Sequence, residues 1–416
     1  MGGKGKPLRV LVVGAGIAGQ AIGFWLQRLG HSITIIERWN ALRTGGQQID
    51  IREQGIEAVK RMGILDQVRA RVVDENGLDI VDDKGKSVFF FPRHEPGSKS
   101  QGFSSEFEIM REDLVRILHD RIKDKVTYRF GLSVHEFANV DDVVRVKLSD
   151  GSLEEYDMLV GADGQGSRIR RALHQDEGGD EQFLRPTGSF CAYYGIARRP
   201  GDENHATVHL GTERRFIMTR WHKPDLGQAY LITRSHGSRI KEALQRDVAA
   251  QKETFRDIFR SVAWPQTDRV LEAMSTSPDF YANEVLQVCN NRWFKERVVL
   301  VGDAGYCPSL MTGMGTSAAL LGAYVLAGEI GKHGGENLGA AFAGYDATLR
   351  PYMTKVQRLP WTHRLYPESK AGLSIFYFLL GLAHKVGLYK LAQRRAAKES
   401  EDKWVLPLYK ELRSGE

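Results

Sequence analysis

Two glycine-rich turns, each entered directly from an apolar strand, constrain the fold of this chain more than any other feature. The segment from Asp157 to Arg170 has the order of a buried strand, a glycine-rich turn that carries Asp163, and the start of a basic helix. The segment from Leu8 to Leu29 repeats the order of strand, turn and helix. A continuous apolar run before such a turn is typical of a parallel-sheet strand buried on both faces. The chain is therefore predicted to be an α/β protein with a ligand-facing edge.

The first turn matches a dinucleotide-binding pattern. Gly14 permits the tight turn, Gly16 lets the backbone approach a pyrophosphate, and Gly19 lets the helix pack on the strand. Glu37 ends the next strand, where its carboxylate can accept hydrogen bonds from ribose hydroxyls. Because that charge would repel a 2′-phosphate, the site suits FAD or NAD rather than NADP.

A third turn follows the apolar run 297–301 and carries Asp303, at the sheet edge where cofactor hydroxyls lie in doubly wound folds. Residues 313–316 then lead into a helix whose first N–H groups could face a flavin ring or a phosphate. An ordinary strand–turn–helix is the alternative. For Arg111, at the start of a predicted helix over 111–122, the residues alone favour a solvated surface position.

Composition sets outer limits on function. The 416 residues are 42% hydrophobic and 26% charged, as in an ordinary soluble protein of two domains. A net charge of +6 without a matching motif argues against a nucleic-acid partner. Cys191, Cys289 and Cys307 are too few and too widely spaced for a disulfide framework or a zinc site, so we expect no metal and a reducing, cytoplasmic location. The N-terminal tail lacks the apolar core of a signal peptide.

The remaining patterns predict two interleaved domains and a C-terminal helical segment. A hairpin over 78–91 and strands at 190–197, 216–221 and 228–233 indicate an antiparallel sheet inserted into a discontinuous Rossmann-like domain. Helices are expected over 49–68 and 239–262, and antiparallel strands over 128–153. The predicted boundaries are 1–70, 100–178 and 286–350 for the cofactor domain, 71–99 and 179–285 for the substrate domain, and 351–416 for the C-terminal region.

One late segment, 371–383, is apolar but stops after about a dozen residues, short of a membrane span. We expect it to form a helix packed on the main body. The less favoured alternative is that 371–395 contacts a membrane surface or a partner. The basic residues that follow the apolar segment suggest it: Lys385, Lys390, Arg394 and Arg395. A monomer or a homodimer fits the sequence.

Taken in order, the three turns resemble those of the class A FAD-dependent aromatic monooxygenases, the para-hydroxybenzoate hydroxylase type. The family's GxGxxG, DG and GD motifs correspond here to 14–19, 157–170 and 302–315, and the resemblance covers about residues 8–350. The segment 37–51 is also similar to the tetracycline-inactivating and urate-hydroxylase-like branches. The resemblance implies a discontinuous FAD-binding domain with an inserted substrate domain.

The resemblance also implies which residues hold FAD. It places Glu37 and Arg38 at the adenosine end, and Arg43, Gly46 and Asp50 nearer the isoalloxazine. Arg111 would meet the ribityl or pyrophosphate, Asp163 would line the cofactor channel, and Asp303 would bind the ribityl or a phosphate. The full implied set is Gly14, Gly16, Ile17, Ala18, Gly19, Glu37, Arg38, Arg43, Gly46, Asp50, Arg111, Asp163, Gly302, Asp303, Gly313, Met314, Gly315 and Thr316.

The reaction implied is carried by the cofactor. NADPH or NADH reduces FAD, O₂ adds at flavin C4a, and the hydroperoxide hydroxylates or epoxidises an aromatic or polycyclic small molecule of the secondary-metabolite type. The segment after Asp303 departs from the family pattern: Ala304-Gly305-Tyr306 replaces the usual Ala-Ala-His. The usual proline comes early, as Pro308, and leaves Leu310 in its place, and Ser317 replaces an asparagine. We expect these changes on the substrate side of the flavin.

Residues of the inserted sheet are candidates for the substrate pocket. Period-two alternation places Met218 and Arg220 on one face of a strand with Phe216, and Trp221 on the other. Tyr193, Tyr194 and Tyr230 are similar candidates, although an ordinary core or surface role is the alternative for each. The sequence identifies no catalytic side chain.

Two other functions stay open at this point. A flavoprotein of the same fold could act as a reductase, oxidase or halogenase, but the Trp-x-Trp-x-Ile signature of halogenases is absent. A non-catalytic dinucleotide-fold binding protein is the second alternative. The DG motif argues against it, because such a protein needs no cofactor channel.

Overall fold

The computed structural model describes residues 6–43, 45–93, 106–359, 366–385 and 404–413. Over these residues the strands are β1 (Arg9–Val13), β2 (Ser32–Glu37), β3 (Gln48–Asp50), β4 (Gly77–Val81), β5 (Ser87–Pro92), β6 (Glu108–Met110), β7 (Thr127–Phe130), β8 (Val134–Val140), β9 (Val143–Leu148), β10 (Leu153–Tyr156), β11 (Met158–Gly161), β12 (Leu184–Ala197), β13 (Ala206–Gly211), β14 (Arg215–Trp221), β15 (Leu226–Thr233), β16 (Tyr281–Val288), β17 (Phe294–Lys295) and β18 (Val298–Leu300). The helices are α1 (Ile17–Arg28), α2 (Gln54–Met62), α3 (Leu65–Arg69), α4 (Arg111–Ile122), α5 (Arg168–Leu173), α6 (Gly237–Leu244), α7 (Val248–Phe259), α8 (Thr267–Thr276), α9 (Asp303–Tyr306), α10 (Gly315–Lys332), α11 (Leu338–Val356) and α12 (Lys370–Lys385).

The first sheet has the order β17-β18-β11-β1-β2-β7, parallel except for β17. Val10 and Val12 of β1 face a core built with α1, α4, α10 and α11. Leu11 and Val13 face the opposite core, which is closed by α5 and the small antiparallel sheet β8-β9-β10. Layers on both faces explain why β1 is apolar at consecutive positions.

The second sheet has the order β16-β12-β15-β14-β13-β4-β5 and is antiparallel except for the β13–β4 pair. Helices α6, α7 and α8 cover one face, with Phe255 and Phe259 in that core. The other face carries Tyr193 and Tyr230 and turns toward the first domain. The predicted α/β architecture with an inserted antiparallel sheet is confirmed.

Three local predictions were wrong. Residues 49–68 do not form one helix, because 48–50 pair with β6 as β3, and Gly63, at φ +69°, ends α2 before α3. Residues 127–130 add to the first sheet in parallel with β2 instead of joining the antiparallel strands that follow. The helix predicted over 239–262 is two helices, with Asp247 capping the second.

Helix α12 packs back on the body as expected, against β5, and the hydroxyl of Tyr377 donates to the carbonyl oxygen of Leu210 at 3.1 Å. Among the described residues, no helix combines the length and apolar character that crossing a bilayer requires. Lys390, Arg394 and Arg395 lie outside the described residues.

Candidate functional site

The first and second glycine-rich turns touch each other. Gly14 has φ +105°, and a Cβ there would lie 2.6 Å from the carbonyl oxygen of Ala162, just before Asp163. A Cβ at Gly19 would lie 1.9 Å from the carbonyl oxygen of Gly14, so helix α1 can approach the turn only with glycine at this position. The close approach that the glycine spacing predicts is therefore present.

Glu37 lies beside this turn. Its Oε2 accepts a hydrogen bond from the backbone N–H of Ala15 at 2.9 Å, and its Oε1 accepts one from Trp39 at 3.3 Å. Each carboxylate oxygen keeps further acceptor capacity, which ribose hydroxyls could use. Arg38 is exposed, with its guanidinium carbon 5.6 Å from the centre of the Trp39 ring.

Arg111 begins α4, and its side chain runs past Gly46 toward the first turn. A Cβ at Gly46 would lie 3.0 Å from its Cδ, and a Cβ at Gly16 would lie 3.5 Å from its Nη2. Among the described residues its guanidinium makes no hydrogen bond or ion pair. Burial, and next the charge of Arg43, lower the pKa of Arg111, while Tyr193, Asp303 and Glu37 oppose them. The solvated surface position favoured by the residues alone is wrong: Arg111 is a half-buried cation that lacks a hydrogen-bond or ion-pair partner among the described residues.

Asp163 uses its carboxylate within its own turn. Oδ1 accepts from the Ser167 hydroxyl at 2.5 Å, and Oδ2 accepts from the backbone N–H groups of Arg168 at 2.8 Å and Ile169 at 3.4 Å. Burial raises its pKa. The carboxylate thus caps helix α5, a role that the sequence did not predict. The predicted role in a cofactor channel stays a prediction.

Arg170 connects the second turn to the third. Its side chain is 1% exposed, and its Nε donates to Asp180 at 2.7 Å. Its Nη1 donates to the carbonyl oxygen of Ala304 at 3.0 Å, and its Nη2 donates to that of Gln165 at 2.7 Å. The sequence showed only a basic helix start here, because Asp180 and Ala304 lie outside the local pattern.

The third turn closes over α1 and leads to α10. Gly302 has φ +68°, and a Cβ there would lie 2.8 Å from the Ala18 side chain. A Cβ at Gly315 would lie 3.8 Å from Oδ1 of Asp303, so this acid lies beside the start of α10. Burial raises the pKa of Asp303, opposed by Cys307, Arg111 and Arg170. The first N–H groups of a helix have no intrahelical partner, so they are available to a ligand.

The loop that carries Gly313 touches the strand β3. Gly313 has φ +63°, and a Cβ there would lie 3.5 Å from both Oδ2 of Asp50 and Nε of Arg52. Ile17, Ala18, Met314 and Thr316 are part of α1, α10 or the turn before it. The structure therefore brings the predicted cofactor residues to one edge of the first sheet.

Tyr306 and Ser317, two of the departures from the family pattern, are in the protein core. Tyr306 is 1% exposed, its hydroxyl lies 2.8 Å from that of Tyr345, and a Cβ at Gly322 would collide with it. Buried Ser317 accepts from the N–H of Arg52 at 2.8 Å and donates to the Arg52 carbonyl at 3.0 Å. The expectation that these changes face the substrate is wrong for Tyr306. Leu310, by contrast, is 42% exposed.

The inserted sheet presents an aromatic face toward this edge. Tyr193, Met218 and Tyr230 pack together with Cys191 and Val285. The rings of Tyr193 and Tyr230 lie 5.8 Å apart, and the Tyr193 and Tyr281 rings lie 5.3 Å apart. The guanidinium of Arg43 lies 4.8 Å from the Tyr281 ring.

Tyr194 is not part of this face. Neighbouring residues of a strand point to opposite sides, and the Tyr194 hydroxyl donates to the carbonyl oxygen of Val270 at 2.9 Å, in the core under α6, α7 and α8. The alternation predicted for β14 is confirmed, with Ile217 and Trp221 in that core and Met218 on the opposite face.

Arg220 is on the Met218 face, but its charge is neutralised by the protein. Its Nε donates to Glu75 at 3.1 Å, and its Nη2 contacts Glu75 and donates to Glu108 at 3.0 Å. Glu75 also accepts from the backbone N–H of Trp221 at 2.9 Å. Burial, together with Asp50 and Glu75, raises the pKa of Glu108 to about 7 against the opposing effect of Arg220. Glu75 and Glu108 carried no sequence signal, since neither lies in a motif.

Gln228 joins the aromatic face to the cofactor edge. Its Nε2 donates to the carbonyl oxygen of Gly46 at 2.7 Å. Its Oε1 accepts from the N–H of Gln48 at 3.1 Å and from the hydroxyl of Tyr230 at 2.9 Å. The sheet that carries the tyrosines is thereby held against the segment next to Arg111.

Comparison with known proteins agrees with this geometry. A family model described as an FAD binding domain matches residues 7–358. The FAD-dependent monooxygenase asL4 of Sarocladium schorii is 36% identical, over 97% of this chain and 99% of its own length. The crystal structure of the tetracycline destructase Tet(51) is similar with a TM-score of 0.77 and 30% identity, over 97% of this chain and 100% of that one. HpxO of Klebsiella pneumoniae, complexed with FAD and uric acid, shares the fold with a TM-score of 0.69 at 18% identity, over 94% of this chain and 96% of that one.

Proposed function

This chain belongs to the FAD-binding-domain family of class A monooxygenases, and from that premise we propose that it transfers one oxygen atom of O₂ to an aromatic or polycyclic small molecule, with NADPH or NADH as the electron donor. When bound, FAD accepts hydride and activates O₂. The protein's tasks are to hold the cofactor, to exclude water and to orient the substrate.

The observation that carries the proposal is the position of Arg111. A buried cation without a protein partner is costly unless an anion neutralises it. Arg111 lies between the Gly16 turn and the aromatic face, and Asp303, Glu37 and Tyr193 are close enough to influence its pKa. FAD, in which a negatively charged diphosphate links the adenosine to the ribityl chain and planar ring of the flavin, fits this position.

The other predicted residues complete the proposed FAD site. The Gly14–Gly19 turn and the start of α1 would meet the diphosphate, and Glu37 would bind a ribose. Asp303 and the start of α10 would hold the ribityl and the ring, with Arg43, Gly46 and Asp50 nearer the isoalloxazine than the adenosine. The carboxylate of Asp163 would act indirectly, since it fixes the turn that packs on Gly14.

The substrate would bind against Tyr193, Met218, Tyr230 and Tyr281. These side chains offer a mainly aromatic surface, and aromatic rings pair favourably with other rings. Arg220 would act as a positioning residue, because Glu75 and Glu108 engage its guanidinium. Tet(51) is named a tetracycline destructase and HpxO is described with uric acid, so both similar proteins are associated with small molecules.

The test starts with the purified protein, which should be yellow, with an absorbance maximum at about 450 nm from oxidised flavin. Oxidation of NADPH and NADH is then followed with a panel of phenols, polyketides and alkaloids under ¹⁸O₂. A substrate should accelerate the oxidation and gain one labelled oxygen atom by mass spectrometry. Colourless protein that FAD does not reconstitute would contradict the proposal. Accelerated oxidation without label in any product would favour the reductase or oxidase alternative.

A matched pair of variants tests the substrate face. Tyr193→Phe should raise KM for that substrate, because it removes the hydroxyl that this ring carries on the proposed binding surface. Tyr194→Phe makes the same chemical change on the opposite face of the sheet, and it should leave KM unchanged.

A further inference from the structure

Helix α12 carries an apolar stripe on its outer side. Ile375, Phe378, Leu379 and Leu382 are 60%, 69%, 54% and 46% exposed, respectively. Their separations of three, four and seven positions place them on one face of a helix. We call these four residues the α12 stripe. Each side chain is a hydrocarbon without a hydrogen-bonding group, and an apolar surface of this kind usually marks an interaction site.

The opposite side of α12 is fixed to the protein, so the helix cannot rotate to bury the stripe. Leu373 is 5% exposed, and the Tyr377 hydroxyl donates to the carbonyl oxygen of Leu210 at 3.1 Å. Just before the helix, the Tyr366 hydroxyl donates to the carbonyl of Gly211 at 3.0 Å, and the N–H of Glu213 donates to the carbonyl of Glu368 at 2.9 Å. The stripe is thus presented outward by a helix that is anchored on its inner face.

The charge of the neighbouring sequence indicates what the stripe meets. Residues 384–398 contain five lysines and arginines and no acidic residue, against a net charge of +6 for the whole chain. Glu399, Glu401 and Asp402 follow this stretch, so residues 384–403 carry six positive and three negative charges, a net charge of +3. Because like charges repel, this basic sequence favours an anionic partner over a second copy of the chain. An anionic surface would be attracted, and apolar residues beside basic ones are typical of helices that lie in a lipid interface.

We propose that the α12 stripe docks onto the surface of an anionic lipid bilayer, with the helix lying in the interface. At 16 residues α12 is too short to span, so the contact is peripheral. Docking would place the bilayer beside β5, an edge strand of the sheet that carries the aromatic face. This proposal is independent of the proposed reaction, because its test measures binding alone.

The test is co-sedimentation of the FAD-loaded full chain with two kinds of vesicle, phosphatidylcholine alone and phosphatidylcholine with about 30% phosphatidylserine. The wild type should bind the anionic vesicles and bind the neutral ones much less. The double variant Phe378→Ser, Leu379→Ser should bind the anionic vesicles at least about tenfold more weakly. The reason is that it lacks two apolar side chains that the bilayer would bury. Raising the salt to about 0.5 M should weaken wild-type binding.

The matched control is Val405→Ser, Leu408→Ser, which removes two side chains that are 69% and 66% exposed at a site away from α12. This variant should bind as the wild type does. Equal flavin absorbance and thermal melting of all three proteins establishes that they are folded.

Three results would overturn the proposal. The first is no wild-type binding to anionic vesicles, and the second is equal binding by the two double variants. The third is a dimer, seen by sedimentation velocity, that the stripe variant abolishes while vesicles do not bind; the stripe would then cover a second copy.

Discussion

Arg170 donates a hydrogen bond from Nη1 to the carbonyl oxygen of Ala304, 3.0 Å away and 134 positions along the chain. The same guanidinium pairs with Asp180 at 2.7 Å, and the two side chains are 1% and 4% exposed. One buried cation therefore fixes the relative position of the second and third turns. Because both turns belong to the proposed FAD site, the stability of the fold and the shape of the site depend on the same contact.

Replacing Arg170 by alanine should lower the free energy of unfolding by about 3–5 kcal/mol, since Asp180 is left buried without its partner. Arg171→Ala is the control, because that side chain is exposed and contacts only turn carbonyls. It should change stability by less than about 0.5 kcal/mol. Urea unfolding of both variants gives the comparison, and equal midpoints would refute the assignment.

Arg111→Met should weaken FAD binding by about 10- to 100-fold, the usual worth of a hydrogen bond to a charged group. The apo protein should keep its melting temperature, because the guanidinium makes no hydrogen bond or ion pair within the described residues. Flavin-fluorescence titration and thermal melting measure the two effects. Arg116→Met, an exposed arginine on the same helix, should alter neither. A marked loss of apo stability in Arg111→Met would show a structural role instead.

Glu108 predicts a pH dependence of stability. Its pKa in the folded protein is about 7, above the ordinary value of 4.5, so folding tightens proton binding. The stabilisation is complete below about pH 4.5 and is lost as the pH rises through about 7. Glu108→Gln cannot ionise and should gain about 1–3 kcal/mol relative to the wild type across that window. Urea unfolding at several pH values tests this. As a control, Glu136→Gln changes an exposed residue, and its free energy of unfolding should differ from that of the wild type by the same amount at every pH. The same constant difference in Glu108→Gln would contradict the prediction.

Gly19→Ala should destabilise the protein by more than about 2 kcal/mol and abolish FAD retention, because the new Cβ would lie 1.9 Å from a backbone oxygen that cannot move freely. Gly166→Ala, in the second turn, meets no atom within 4 Å and should be neutral. Thermal melting and the flavin-to-protein absorbance ratio report both properties. Retention of FAD by Gly19→Ala would mean that the turn relaxes more easily than its contacts indicate.

Features that depend on neighbours in sequence were predictable. The strand–turn–helix at Gly14–Gly19, the helix Arg111–Ile122 and the alternation along β14 each follow from local spacing and burial. The errors arose where a pattern had two solutions. The apolar spacing of 49–68 fits a helix, but pairing with 108–110 makes its first residues a strand. Tyr306 stands in a motif near the cofactor, yet Gly322 and Tyr345 provide space for it in the core.

The local sequence was enough to predict the three glycine-rich turns, the fold class and the class of cofactor, because these depend on residues that act within a few positions of one another. Which charged groups find a partner within the protein depends instead on how distant segments pack. Arg220 and Glu75 are 145 positions apart, and Arg170 and Ala304 are 134 positions apart. Because Glu75 pairs with Arg220, that guanidinium is not an unpaired cation. Arg111 has no such partner among the described residues. Whether a buried charge meets a counter-charge depends on the packing of distant segments, and local sequence carries no record of it.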